Sequence, residues 1–274
     1  MPIIAITREM GSLGKDVASG LGNSLGLPIY YHEVVDNLAD RMRVRKSHVI
    51  RLIDGKAGLL ERLTADKTSL AIFSADEIFD LALQGEGAVV RGWGATHLLR
   101  DVPHAICVRV CAPRELRKRR MMQRLGTTDE EAVSVEIHCN DEAHTAIMRR
   151  NFGLQWTDPE NYDVVFNTER VNVDECIDEV VRLVKSPFFA ETKQSRQQLE
   201  DLALAARVRA ALRHSALTRD TRISITANAG QVTLAGEVST DTLLTIAEVV
   251  SAVPGVGDFD YRLLVPERSP TKVS

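Results

Sequence analysis

The chain has few cysteines, no surplus of basic charge and no long apolar run, and each shortage closes off a class of protein. The four cysteines, Cys107, Cys111, Cys139 and Cys176, form no C-x-x-C pair. This argues against zinc binding and disulfides, and for reduced thiols in a cytosolic protein. A formal charge of −4 gives no general attraction for nucleic acid unless the basic residues cluster. No stretch approaches the ~18 apolar residues of a membrane span, and no basic region precedes an apolar run at the start. The expectation is a soluble, cytoplasmic protein with no transmembrane segment and no nucleic-acid partner.

What is present suffices for a large core: 274 residues, 44% of them hydrophobic, suggest one large domain or two. The most informative stretch lies near the start. Pro2-Ile3-Ile4-Ala5-Ile6-Thr7 is a short, β-branched run suited to one buried strand. Arg8-Glu9-Met10-Gly11-Ser12-Leu13-Gly14-Lys15 follows as a turn with two glycines and a lysine. Val17, Ala18, Leu21 and Leu25 then recur at helical spacing, and Gly26 stands where a helix would stop. In such a layout backbone N–H groups and the positive end of a helix surround an anion, while the lysine adds a full charge. The usual pattern G-x-x-x-x-G-K-[ST] is met only in part. Glu9 holds the first glycine position, and Asp16 follows the lysine where a Mg-binding hydroxyl is expected. A plain glycine turn with Lys15 on a solvated face fits the same residues equally well.

Further along, residues 27–31 read as a second short strand and residues 32–62 as a polar helical region. Its bases, Arg41, Arg43, Arg45, Lys46 and Arg51, suit either an anion pocket or a solvated helical face. A helix over 74–83 precedes a buried strand, Gly87-Ala88-Val89-Val90-Arg91-Gly92, and a helix start at 94–99. Residues 105–111 form another apolar strand, which leads through Ala112-Pro113 into a very basic helix. A long charged helical region over 127–150, a strand over 161–168 and a helix over 173–184 complete this part. Strands alternating with helices imply a doubly wound α/β sheet with parallel pairing, and ligands in such sheets sit beyond the carboxyl ends of the strands. The Gly11–Lys15 turn, the Arg91–Gly94 turn and Cys111-Ala112-Pro113 all fall at such ends. After Lys185 a polar segment suits a linker or exposed helix. A second unit starts near Glu200 with a helical stripe. Two alternating strands around Asn228-Ala229-Gly230 then give a hairpin signal. A helix over 240–252 and a strand over 261–265 close it, and the tail from Pro266 is polar.

Residues 1–185 resemble the cytidylate kinase-like family of P-loop proteins. The resemblance rests on Ile6-Thr7-Arg8-Glu9-Met10-Gly11-Ser12-Leu13-Gly14-Lys15, on Leu27-Pro28-Ile29-Tyr30-Tyr31 and on Val90-Arg91-Gly92-Trp93-Gly94-Ala95. Ala112-Pro113 with Arg117, Phe152-Gly153, Trp156, Asp158-Pro159, Tyr162-Asp163 and Asn167-Thr168 extend it. Residues 200–266 resemble a BON domain through Val232-Thr233-Leu234-Ala235-Gly236-Glu237-Val238 and Val253-Pro254-Gly255-Val256. The organisation implied is a three-layer α/β/α P-loop NTPase-like domain over 1–185, a linker over 186–199, a small α+β BON-like domain over 200–266 and a tail over 267–274.

The resemblance implies transfer of the ATP γ-phosphoryl group, with Mg2+, to a nucleoside monophosphate such as CMP or another small acceptor. Gly11, Ser12, Leu13, Gly14, Lys15 and Asp16 would then hold the ATP phosphates. Lys15, Arg117, Arg120 and Arg124 would act on the transferring group. Arg41, Arg43 and Arg91 would face the acceptor, and His144, Arg149 and Arg150 would belong to a lid. No metal ligand is assigned, although Asp16 is compatible with Mg2+ held through water. Asp163 and Asn167 would fix loop geometry. Four positions depart from the family pattern: Leu13 where a further glycine is common, Asp16, Trp93 where an arginine is frequent, and His144 where an arginine is typical. As isolated residues, His144 reads as a surface histidine, Asp16 as a first-turn helix acid and Trp93 as core. The alternative activity is therefore a weak or inactive nucleotide-binding sensor. The BON unit implies a ligand-binding or regulatory role, with phospholipid among its ligands, and a homo-oligomer is compatible with all of this.

Overall fold

The computed structural model describes residues 1–42, 44–53, 67–92 and 94–264, in two compact units, Met1–Ser195 and Arg196–Ser274. Arg43, Trp93, the end of the expected helical region at 54–62, and the tail lie outside the described residues.

The first unit is built around β1 (Ile3–Arg8), whose Ile3, Ile4, Ala5 and Ile6 are fully buried. The run is continuously apolar because a central parallel strand is covered on both faces. It pairs with β3 (Ala88–Arg91) on one side and β4 (Ala105–Cys111) on the other, with Ile3 opposite both Ala88 and Ala105. The outer strands are β2 (Ile29–Tyr30) and β5 (Val164–Asn167), giving a five-stranded parallel sheet in the order β2-β3-β1-β4-β5. The crossovers carry α1 (Gly14–Leu25), α2 (His32–Met42), α3 (Lys46–Ile53), α4 (Lys67–Leu83), α5 (Ala95–Leu98), α6 (Arg114–Leu125) and α7 (Glu130–Phe152). Helix α8 (Val173–Val184) closes the unit and opens on a capping box between Asn172 and Glu175. β1, β3 and β4 thus end side by side at Arg8, Arg91 and Cys111, the sheet edge where ligands are expected.

Helix α1 carries Gly20 and Gly22 in its interior, each costing about 1 kcal/mol of helix propensity. Packing outweighs that cost. A Cβ on Gly20 would lie 2.1 Å from Ile177 Cδ1, and one on Gly22 would lie 2.6 Å from the Ile29 side chain. The two glycines admit α8 and β2 closely, and Val17, Leu21, Cys176 and Val180 become fully buried. Each large aliphatic side chain so buried contributes roughly 1.5–3 kcal/mol.

The second strand pairs over two residues rather than the expected five, and the helical region after it breaks at Val44. Within the segment read as a linker or exposed helix, α9 (Lys193–His214) begins before Glu200. The second unit continues with β6 (Ile223–Asn228), β7 (Gln231–Glu237), α10 (Thr240–Ser251) and β8 (Asp258–Leu264). β6 and β7 form the expected antiparallel hairpin, turning at Ala229 and Gly230, both at positive φ. β8 returns parallel to β7 after α10. At Gly236 a side chain would meet the Arg222 carbonyl oxygen at 2.9 Å.

Candidate active site

The turn between β1 and α1 is closed on itself. Ser12 N–H donates to the Glu9 carbonyl (3.2 Å), and the Asp16 and Val17 amides donate to the Leu13 carbonyl (2.9 and 3.1 Å). Gly11 has φ +80°, and Leu13, a non-glycine, is also left-handed at φ 65°. By contrast, the amides of Gly11, Leu13, Gly14 and Lys15 donate to no acceptor among the described residues. Lys15 is exposed and pairs with no carboxylate among those residues, and Asp16 beside it is exposed as well. Ser12 Oγ is buried without a hydrogen-bond partner among the described residues. Unsatisfied N–H groups, an unpaired ammonium and an orphaned hydroxyl at a helix start suit an anionic guest.

Beneath the turn lies a dense charged network. Glu9 accepts from Arg109 Nη2 (2.8 Å) and from the Ala112 amide (3.1 Å), and lies 3.4 Å from Arg117 Nε. Its carboxylate therefore faces a cation from each of β4 and α6 and the amide of Ala112 between them. Arg117, expected over the transferring group, is buried and its donors are committed. Nε donates to the Ala112 carbonyl (3.1 Å), Nη1 to the Met10 carbonyl (3.3 Å), and both Nη atoms hold Asp141 at 3.1 and 2.8 Å. Arg120 donates to Thr168 Oγ1 (2.9 Å) and to the Thr168 carbonyl (2.7 Å). Thr168 Oγ1 in turn donates to the Ser12 carbonyl (2.8 Å). Arg124 is exposed on the last turn of α6.

Arg91, at the carboxyl end of β3, is buried with its guanidinium 4.0 Å from the Tyr31 ring centroid, and its Nε has no partner among the described residues. Burial lowers its pKa, and so do the neighbouring charges of Arg8 and Arg124, against opposing effects from Tyr31 and Asp16. Arg8, Arg124 and Asp16 thus lie close enough to Arg91 to act on its charge. Sequence patterning missed Arg8. Its place as the last residue of the central strand was the available signal.

His144 corrects the surface reading. It is largely enclosed in α7, its ring 4.2 Å from that of Trp156 and its Nε2 3.4 Å from Thr7 Oγ1. Burial, with Arg8 and Arg109 against Asp141, pushes its pKa down to about 4, so it is neutral at pH 7. It borders a cavity of about 50 Å³ shared with Leu70, Ser74, Gly94, Met148 and Phe152. Arg149 and Arg150 are exposed farther along α7. Arg41, expected to face the acceptor, instead ties α2 to α4 by pairing with Asp76, Glu77 (2.9 Å) and Asp80 (3.1 Å). Asp163 accepts from the Cys107 amide (2.7 Å) and Asn167 from the Glu169 amide (3.0 Å), both fixing backbone.

Comparison with known proteins bears on this geometry. No curated protein matches the chain. An uncharacterized protein from Eubacterium ventriosum, of known crystal structure, is 24% identical with a TM-score of 0.52, over 68% of this chain and 99% of its own. That likeness supports the parallel α/β fold. A shikimate kinase from Acinetobacter baumannii, solved in complex with shikimate, is 14% identical with a TM-score of 0.41, over 67% of this chain and 93% of its own. Residues 200–265 match the BON domain model, in agreement with the small separate sheet. Residues 3–170, which contain the loop, Arg91, the α6–α7 pair and Thr168, match the model of the cytidylate kinase-like family, and to that family the chain belongs.

Proposed function

We propose that residues 1–185 form a cytoplasmic ATP-dependent phosphotransferase of the nucleoside monophosphate kinase type. The observation that carries this reading is the row of amides at Gly11, Leu13, Gly14 and Lys15, beside the Lys15 ammonium, none of them with a partner among the described residues, at the end of the central strand. Phosphoryl transfer asks little covalent chemistry of the protein; it asks for positioning and for neutralisation of oxygen charge. The amides and Lys15 would hold the β- and γ-phosphates of ATP, with Ser12 Oγ as a further donor. Arg124 and Arg8 would add positive charge around the transferring group. Arg91, over the Tyr31 ring and with Nε unpartnered among the described residues, would receive the anionic group of the acceptor.

The donor set also fits Mg2+. Among the described residues no three His, Cys, Asp or Glu side chains gather as a metal cage. Kinase Mg2+ needs none, being bound largely by phosphates and water with one or two carboxylates. Asp16 would be that carboxylate, through water. When bound, the ion neutralises charge on the phosphate oxygens.

The second reading is a nucleotide-binding sensor without turnover. It draws on His144, neutral where the family carries an arginine, and on acidic Asp16 in place of a hydroxyl. In both readings the BON unit, over 200–266, binds a ligand or regulates. Incubation with ATP, Mg2+ and a panel of monophosphates separates the two. The kinase reading expects ADP formation that needs one acceptor and falls at least about 100-fold in Lys15→Ala. Tight ATP binding with no ADP under any acceptor establishes the sensor instead.

A further inference from the structure

A trans peptide unit points its C=O and its N–H to opposite sides, and no peptide bond among the described residues is cis. Two units in the loop matter for that reason. The Met10 carbonyl shares a plane with the Gly11 amide, and the Ser12 carbonyl shares one with the Leu13 amide. Both carbonyls are held from the protein side, Met10 by Arg117 and Ser12 by Thr168. Both amides lack an acceptor among the described residues. Whatever grips those carbonyls therefore aims those amides.

We infer that Thr168 is a positioning residue of the anion-binding loop, supported by Arg120, with Arg117 performing the same task at Met10. Thr168 is buried just beyond β5, and its own amide donates to the Cys111 carbonyl at 2.9 Å, which fixes its backbone against β4. Its hydroxyl has one proton to give. Arg120 Nη1 donates to the oxygen, which leaves that proton for a carbonyl. Ser12 at 2.8 Å takes it over Cys111 at 3.4 Å. The cation polarises the hydroxyl and strengthens the bond it makes. Arg117 can sit buried because Asp141 and Glu9 balance its charge, and the same contacts lock it in place. Two arginines that the sequence suggests as partners of the transferring phosphoryl group thus act through the main chain of the loop.

This inference rests on the phosphate-binding reading for its purpose but not for its test. In the full chain, Thr168→Val removes the hydroxyl and keeps the shape, whereas Thr168→Ser keeps the hydroxyl. Amide exchange of Ser12, Asp16 and Val17, which close the loop internally, is followed by NMR without ligand, and ATP affinity is measured by calorimetry. With one loop hydrogen bond lost, Thr168→Val is expected to speed exchange at those amides about tenfold and to weaken ATP binding about tenfold. Thr168→Ser should restore both, and amides of β3 should not change. Wild-type loop exchange in Thr168→Val, or equal acceleration throughout the unit, overturns the inference. Should the wild-type protein bind no ATP, the kinase reading falls, and the exchange data still decide the role of Thr168.

Discussion

Gly11 has two separate reasons to lack a side chain. Its φ of +80° disfavours L residues, and a Cβ would lie 2.7 Å from the backbone oxygen of Arg117. Neither can relax cheaply, because that oxygen belongs to a helix whose arginine is clamped by Asp141 and Glu9. Gly11→Ala should lower stability by about 2 kcal/mol, seen as a lower urea midpoint, and should abolish ATP binding. His144 gives a pH signature. In the unfolded chain a histidine takes up a proton below about 6.5, while the folded group, pushed down by burial and then by Arg8, stays neutral to about 4. The unfolded state binds more protons in that window, so stability falls as pH falls, by up to about 1.4 kcal/mol per pH unit. Below about 4 the loss is complete. His144→Gln should flatten this dependence, and urea titrations at pH 7 and pH 5 should show wild type losing roughly 2 kcal/mol more than the variant. Residues of this kind are the hardest to read in advance. Sequence shows that Arg117, Glu9 and His144 are polar, but not that each is enclosed by partners up to 137 positions away.

Elements were more legible than residues. The β1–turn–α1 start, the hairpin of the second unit and α8 follow from apolar spacing and glycines, all local signals. The α2–α4 contact is not local, and there the solvated-face and acceptor-pocket readings of Arg41 both missed its partners. Asp76 and Glu77 are buried, and Arg41 pairs with both. Removing one partner of such a cluster leaves uncompensated charge. Arg41→Met is expected to destabilise the protein by about 3 kcal/mol in denaturant melts. An acceptor-binding role would instead raise the KM for the acceptor with the melt unchanged. Helix α7 is likewise tied down by long-range contacts. Asp141 holds Arg117, and Phe152 fills the notch at Gly94, where a Cβ would lie 2.5 Å from its ring.

At the scale of the molecule, each unit has its own core. One gathers Ile4, Ile6, Leu21, Ile106 and Val180 around the parallel sheet, and the other gathers Val208, Ile225, Val232, Leu234 and Ile246 around the mixed sheet. Strand–helix alternation in the first part and the hairpin pattern around Asn228-Ala229-Gly230 are different periodicities, and the parallel and mixed sheets are what each builds. Calorimetry should resolve two unfolding transitions. Leu234→Ala, at a fully buried site, should cost about 3 kcal/mol in one of them and leave the other in place. The position of β1 has a wider consequence. The loop leaves a strand bonded on both flanks and enters a helix whose first turn is already closed on Leu13. On the kinase reading, an arriving phosphate would find its seat shaped in advance, so that affinity would not be diminished by any need to organise the receptor and the energy of the encounter would stay available for the chemistry.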